Sequence, residues 1–173
     1  HAAAPAGVAA TSTSLPAVAT DDAANAAAKA RKRRTAIIAS LVLIALLVHD
    51  HEHHTAAESW AGGLAEEDLI ASDPVVEGAF TRYAVRIGHR AAQVQYALRR
   101  VHEMPRWRFW PDVLPYADCD LATVRGHRKV TDSFLASLAR HHGGRLVTFD
   151  RALAGRFPDV VDLIGSGRPE EQG

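Results

Sequence analysis

The chain has 173 residues, 47% hydrophobic and 23% charged, the composition of a soluble globular protein with enough length for one domain and a substantial core. Its 20 basic and 20 acidic residues cancel, which excludes an overall positive field for nucleic acid and leaves only a local patch for any such contact. A single cysteine, Cys119, excludes an intramolecular disulfide, so the fold must rest on its core, as suits the reducing cytoplasm.

Residues 1–34 are rich in Ala, with scattered Pro, Ser and Thr and no apolar periodicity. They have little to bury and read as a disordered tail or tag. The basic run from Lys29 to Arg34 reads as solvated charge. Together with the apolar run Ala36 to Val48 it resembles the first two regions of a signal peptide. The run falls short of the roughly 20 residues that cross a bilayer. It is followed by His49-Asp50-His51-Glu52-His53-His54 rather than by a small-residue cleavage site. A buried strand entering a helix accounts for the same pattern, and no membrane association is expected.

The domain is expected over 35–165. Ala36 to Ala39 is apolar on both faces, as central parallel strands are, and Leu41 to Val48 follows as a helix. Thr55 to Ala61 predicts a second helix closed by Gly62-Gly63, and Leu69 to Ser72 a second strand. Pro74 suits the first turn of a helix whose Val76, Phe80, Tyr83 and Ile87 recur at helical spacing until Gly88. His89 to Glu103 predicts another helix, broken by Pro105, and the aromatic, Pro-interrupted Trp107 to Tyr116 an edge strand and loop. Val130, Phe134, Leu135 and Leu138 mark a helix stopped by Gly143-Gly144. Arg145 to Phe149 predicts a strand, Arg151 to Phe157 a short helix and Val160 to Ile164 a last strand. Residues 166–173 read as a disordered tail. Alternating strands and helices make this an α/β fold, a parallel sheet flanked by helices on both faces.

Open parallel sheets gather their ligands at the carboxyl ends of the strands. Three acids stand there: Asp150 directly after the strand ending at Phe149, Asp132 at the start of a helix, and Glu77 in the first turn after the second strand. Each has a plain structural alternative, because Asp150 and Asp132 suit helix caps and Glu77 suits a helix dipole.

The surrounding sequence adds to this. His127-Arg128-Lys129-Val130-Thr131-Asp132-Ser133-Phe134-Leu135-Ala136-Ser137-Leu138-Ala139, then Gly143-Gly144-Arg145-Leu146-Val147-Thr148-Phe149-Asp150, resembles the C-terminal half of VapC-type PIN-domain toxins. Val42 to Leu46 with Asp50 to His54 and Trp60 resembles the opening of that family. Glu77-Gly78-Ala79-Phe80-Thr81-Arg82 is similar to its acidic helix motif, and Phe109-Trp110-Pro111-Asp112 to its mid-chain strand. The resemblance implies a PIN-like fold and an endoribonuclease dependent on Mg²⁺ or Mn²⁺, neutralised by a VapB-type antitoxin and often a homodimer. It carries catalytic and metal-binding roles onto Glu77, Asp132 and Asp150. Hard divalent cations take such carboxylate oxygens, and a bound cation both activates water and offsets charge on the attacked phosphate.

The chain departs from that pattern at the first strand. Where the family has Asp, and Asn or Ser two residues later, this chain has Ala39 and Leu41, neither able to ligate a cation. Impaired cleavage is therefore expected, and a catalytically inactive PIN domain that binds antitoxin or RNA is the competing reading. Arg82, Arg125, Arg128 and Lys129 are the expected phosphate contacts, with a solvated basic loop as the alternative. Trp110 is read as a core or interface residue before a base-stacking one. His49, His51, His53 and His54 bring histidines close together without a partner motif for structural zinc, and on a helix His49 and His53 would share a face.

Overall fold

The protein was analysed as a computed structural model that describes residues 34–111 and 114–165, apart from the side chain of Arg128. The tails expected before Arg34 and after Gly165 lie outside the described residues, as does Asp112. Five parallel strands form one sheet in the order β3-β2-β1-β4-β5: β1 Thr35–Ile38, β2 Leu69–Ser72, β3 Trp107–Phe109, β4 Arg145–Thr148 and β5 Val161–Leu163. The helices are α1 Ser40–Leu47, α2 His54–Gly62, α3 Pro74–Arg86, α4 Ala91–His102, α5 Val130–His141 and α6 Arg151–Arg156.

β1 lies in the middle because it is the run that can be buried on both faces; Ile37 and Ile38 are fully buried. From β1 the chain steps outward to β2 and β3 on one side, then returns to β4 and β5 on the other. Right-handed crossovers therefore put α1 to α4 over one face and α5 and α6 over the other. The contacts agree: α1 packs on α2 and α3, and α3 on α4, while α5 and α6 lie on β1, β4 and β5. The chain reverses direction between β1 and β4, and the carboxyl ends of these two strands form the crevice in which such folds hold ligands.

The expected elements all form, with shifts of one or two residues at their ends. Thr35 joins β1, whereas Ala39 leaves it to become the N-cap of α1. Arg34, expected as the last residue of the tail, already belongs to the fold: its carbonyl accepts from Leu69 N at 2.9 Å and its N–H donates to Asp68 Oδ1 at 3.2 Å. The paired glycines after α5 do different jobs. Gly143 takes a positive φ of 62° to end the helix, while a Cβ at Gly144 would stand 2.8 Å from the Thr35 carbonyl oxygen. No helix among the described residues is long and apolar enough to cross a membrane.

The histidine-rich turn corrects one expectation. Residues 49–53 do not form a helix, so His49 and His53 share no helical face. Instead His49 Nδ1 meets the buried His54 Nε2 at 3.0 Å, and His54 Nδ1 meets the Ala45 carbonyl at 2.8 Å. His53 stacks on Phe149, with ring centres 4.5 Å apart. The turn is thus tied to the end of α1 and the end of β4. Asp50 is exposed in this turn rather than on a helix. Trp110 stacks on His142 at 3.9 Å, the structural role expected of it.

Candidate active site at the carboxyl edge of the sheet

Ala39 sits at the switch point. Its N–H donates to the Val147 carbonyl of β4 at 2.9 Å, which fixes it on the same edge as the residues that follow β4. It is 7% exposed, and as the N-cap of α1 it offers no side-chain acceptor to the free N–H groups of the first turn. Leu41, two residues on, is exposed.

Asp150 and Asp132 lie on the β4 side. Asp150 is the N-cap of α6: its Oδ1 accepts from Ala152 N at 2.7 Å and Leu153 N at 3.1 Å, so the capping alternative read from sequence is realised. Asp132 stands in the first turn of α5 and caps nothing. It is half-buried, and burial pushes its carboxyl above the usual carboxylate range; the neighbouring Asp150 charge adds to that rise, while Arg156 and Lys129 oppose it. A carboxylate raised by a neighbouring carboxylate, with cationic side chains around it, makes a local focus for positive charge.

Glu77 lies on the other flank of β1, in the first turn of α3. Its Oε1 accepts from the Ser72 hydroxyl at 2.5 Å and meets His102 Nε2 at 2.7 Å. Ser72, fully buried at the end of β2, in turn accepts from Trp107 Nε1 at 3.0 Å. The structure therefore brings Asp132 and Asp150 together and holds Glu77 in a separate network. Sequence reasoning missed Ser72, His102 and Trp107. Ser72 read only as a strand end, and nothing local marks His102, whose partner is 25 residues away.

Among the expected phosphate contacts, Lys129 is exposed immediately before α5 and acts on Asp132. Arg125 is exposed in the loop ahead of it, next to Gly126, whose φ of 88° turns the chain. Arg82 is exposed on α3 with its guanidinium over Gly78, 3.4 Å from where a Cβ there would stand. The backbone of Arg128 lies in a single 3₁₀ turn, His127–Lys129. Arg156, which sequence reasoning did not single out, is a further cation acting on Asp132.

Carboxylate oxygens are the donors that Mg²⁺ and Mn²⁺ take. Among the described residues, however, no three His, Cys, Asp or Glu side chains gather closely enough to hold a metal ion. Ala39, a buried methyl on β1's carboxyl edge between the two flanks, contributes no oxygen there. As they stand, these residues do not fit a tightly held cation.

Residues 36–156 match the family model of the PIN domain. Ribonuclease VapC29 of Mycobacterium tuberculosis is 42% identical over 130 residues, which cover 75% of this chain and 96% of that protein. Ribonuclease VapC39 of the same organism is 35% identical over 128 residues, covering 69% of this chain and 91% of its own length. Among solved structures, VapBC2 from Rickettsia felis bound to a DNA fragment from its promoter matches with a TM-score of 0.50 at 18% identity. That match covers 76% of this chain and 99% of the other, a likeness of fold.

Proposed function

The chain belongs to the PIN-domain family of VapC-type ribonucleases, and on that premise we propose that it is the toxin of a toxin–antitoxin pair, an endoribonuclease whose cleavage is impaired by Ala39. The observation that carries this reading is the Asp132–Asp150 pair, in which burial and mutual repulsion leave an acidic focus at the switch point of the sheet. The cation that answers it is Mg²⁺ or Mn²⁺, with Glu77, Asp132 and Asp150 as the remaining acids and position 39 as the gap. Among the described residues, the acids present do not surround a cation.

Lys129, whose charge acts on Asp132, Arg125, exposed in the loop ahead of it, and Arg82, exposed on α3, are read as the contacts for RNA phosphates, and Arg128 belongs to the same basic loop as Lys129. A cytoplasmic location and a homodimer complete the reading. The partner is a VapB-type antitoxin; the likeness in fold to a VapBC complex supports this.

The experiment is Mg²⁺-dependent cleavage of a structured RNA by this chain and by Ala39→Asp. The native chain is expected to cleave weakly, Ala39→Asp strongly, and Glu77→Ala or Asp132→Ala in that background to abolish the gain. Brisk cleavage by the native chain that neither alanine variant diminishes would remove these acids from the site. The second reading, an inactive PIN domain that only binds antitoxin or RNA, draws on the absence of a three-residue metal cluster among the described residues. It predicts that Ala39→Asp stays inactive while RNA is still bound.

A further inference from the structure

The 20 basic and 20 acidic residues of the chain cancel overall but not locally. Residues 74–102, which make up α3, α4 and the turn between them, hold five arginines against one acid, Glu77. Glu77 is already engaged by Ser72 and His102. Arg82, Arg86, Arg90, Arg99 and Arg100 are all exposed, and among the described residues only Arg100 of the five is in an ion pair, with Glu103. Arg82 and Arg86, four residues apart, share one face of α3, and the Arg86 guanidinium lies over the Tyr83 ring at 5.3 Å. On α4, Tyr96, Arg99 and Arg100 recur at spacings of three and four, away from the buried Val94 and Val101. Tyr96 is 65% exposed, so a large aromatic ring stands among these cations. Between the two helices runs an open trough of about 480 Å³, lined by Thr81 of α3 and by Ala91, Ala92, Gln95 and Leu98 of α4. Its lining is uncharged, and each helix carries an arginine next to it in sequence, Arg82 after Thr81 and Arg99 after Leu98.

We propose that the α3–α4 hairpin is a docking surface for the phosphate backbone of RNA, with Tyr96 as a stacking platform for an unpaired base. This rests on reading the chain as an enzyme that acts on RNA, and it extends the expected phosphate contacts from Arg82 to four further arginines. Charge selects the class of partner. Arginine forks take phosphate oxygens in pairs, and cations that meet a polyphosphate gain from the counterions it releases. A second copy of this chain does not suit the face, because a twofold contact would set the arginines against themselves. The aromatic ring favours RNA over an acidic polypeptide, since a nucleobase stacks on it and a carboxylate does not. Position gives the surface its use. Glu77 lies in the first turn of α3, and the far end of that helix is about 20 Å away at 1.5 Å per residue, so RNA held along the hairpin leads up to the carboxyl edge of the sheet.

The test is binding of a fluorescein-labelled RNA hairpin with an unpaired loop, followed by anisotropy in EDTA over a range of salt concentrations, so that neither a divalent cation nor cleavage enters the result. The native chain is compared with Arg86→Gln, Arg90→Gln and Arg99→Gln combined, with Tyr96→Ala and with Tyr96→Phe. All four positions are exposed, and thermal melting reports whether each variant is folded. The triple variant is expected to bind about tenfold or more weakly, with the slope of log affinity against log salt shallower by about two. Arg90→Gln alone, in the turn, stands in should the triple variant fail to fold, with a slope shallower by about one. Tyr96→Ala should weaken binding about tenfold at unchanged slope, and Tyr96→Phe should keep the native affinity. The inference is overturned if the native chain binds no RNA, if the arginine variants match it in affinity and slope, or if Tyr96→Ala binds as tightly as Tyr96→Phe. Poly-glutamate that displaces the RNA as well as unlabelled RNA does would overturn it too, and would assign the face to an acidic protein. The nuclease reading fails separately, when Ala39→Asp shows no Mg²⁺-dependent cleavage of RNA that it binds.

Discussion

On the β4 flank of β1, Asp132 is half-buried and driven up by burial and by Asp150. On the β2 flank, the Glu77 side chain is 13% exposed, yet a buried hydroxyl and an imidazole satisfy it. The same residue class at the same edge of the same sheet is thus left in tension on one side and at rest on the other. Burial alone therefore does not identify an acid that works. The identifying sign is a like-charged neighbour that nothing in the resting structure fully offsets, because such repulsion is tolerated only where something else supplies positive charge.

The comparison is broken most forcefully by bridging the two flanks. Ala39→Asp is expected to raise Mg²⁺-dependent RNA cleavage by about a hundredfold or more, as restoring a ligand should exceed the effect of an outer-shell partner. In that background Asp150→Asn should remove most of the gain; cleavage indifferent to Asp150 would contradict the role given to the β4 flank. Next in size is Ser72→Ala, which leaves the Trp107 indole N–H buried without its acceptor and Glu77 with one donor. It should cost about 2 kcal/mol in a denaturant unfolding experiment, and an unchanged midpoint would show that the Trp107–Ser72–Glu77 chain of hydrogen bonds is not part of the folded core's stability.

The β4 flank should respond in the opposite sense. The folded state raises the pKa of Asp132, so it binds that proton more tightly than the unfolded chain does. The contribution of Asp132 to stability is then most favourable below the unfolded pKa and is lost as pH rises through the folded one. Asp132→Asn should accordingly melt about 2 °C higher than the native chain near neutral pH, with the difference closing in acid. A lower melting temperature at neutral pH would mean that its charge is compensated after all. The smallest effect is expected from Arg156→Gln, which removes a cation that lowers the Asp132 carboxyl. An NMR titration should find that carboxyl displaced further upward, and a downward displacement would place Arg156 elsewhere.

Most of the fold was legible because a parallel sheet writes itself plainly: buried strands are continuous apolar runs, and the helices between them carry their own period and punctuation. Asp132 and Asp150 were legible for a related reason, since each lies immediately beside an element end that the pattern defines. The pair of hydrogen bonds on Glu77 was not. Ser72, Glu77, His102 and Trp107 span 35 residues between Ser72 and Trp107, and only the pairing of β2 with β3 and the packing of α3 on α4 bring them together. The histidine-rich turn misled for the converse reason. Helical spacing links His49 with His53, but the chain turns there, and the contact that forms is His49 with His54.

Ala39 holds φ −65° and ψ 157°, the extended geometry that a helix N-cap adopts, so an aspartate could enter there without moving the backbone. It would meet two needs at once, accepting from the uncapped N–H groups of α1 and closing the gap between the flanks. An alanine codon ending in a pyrimidine becomes an aspartate codon by a single C-to-A change. On the proposed reading such a change would strengthen the nuclease, and a cell carrying it without a matching antitoxin would be expected to counterselect it.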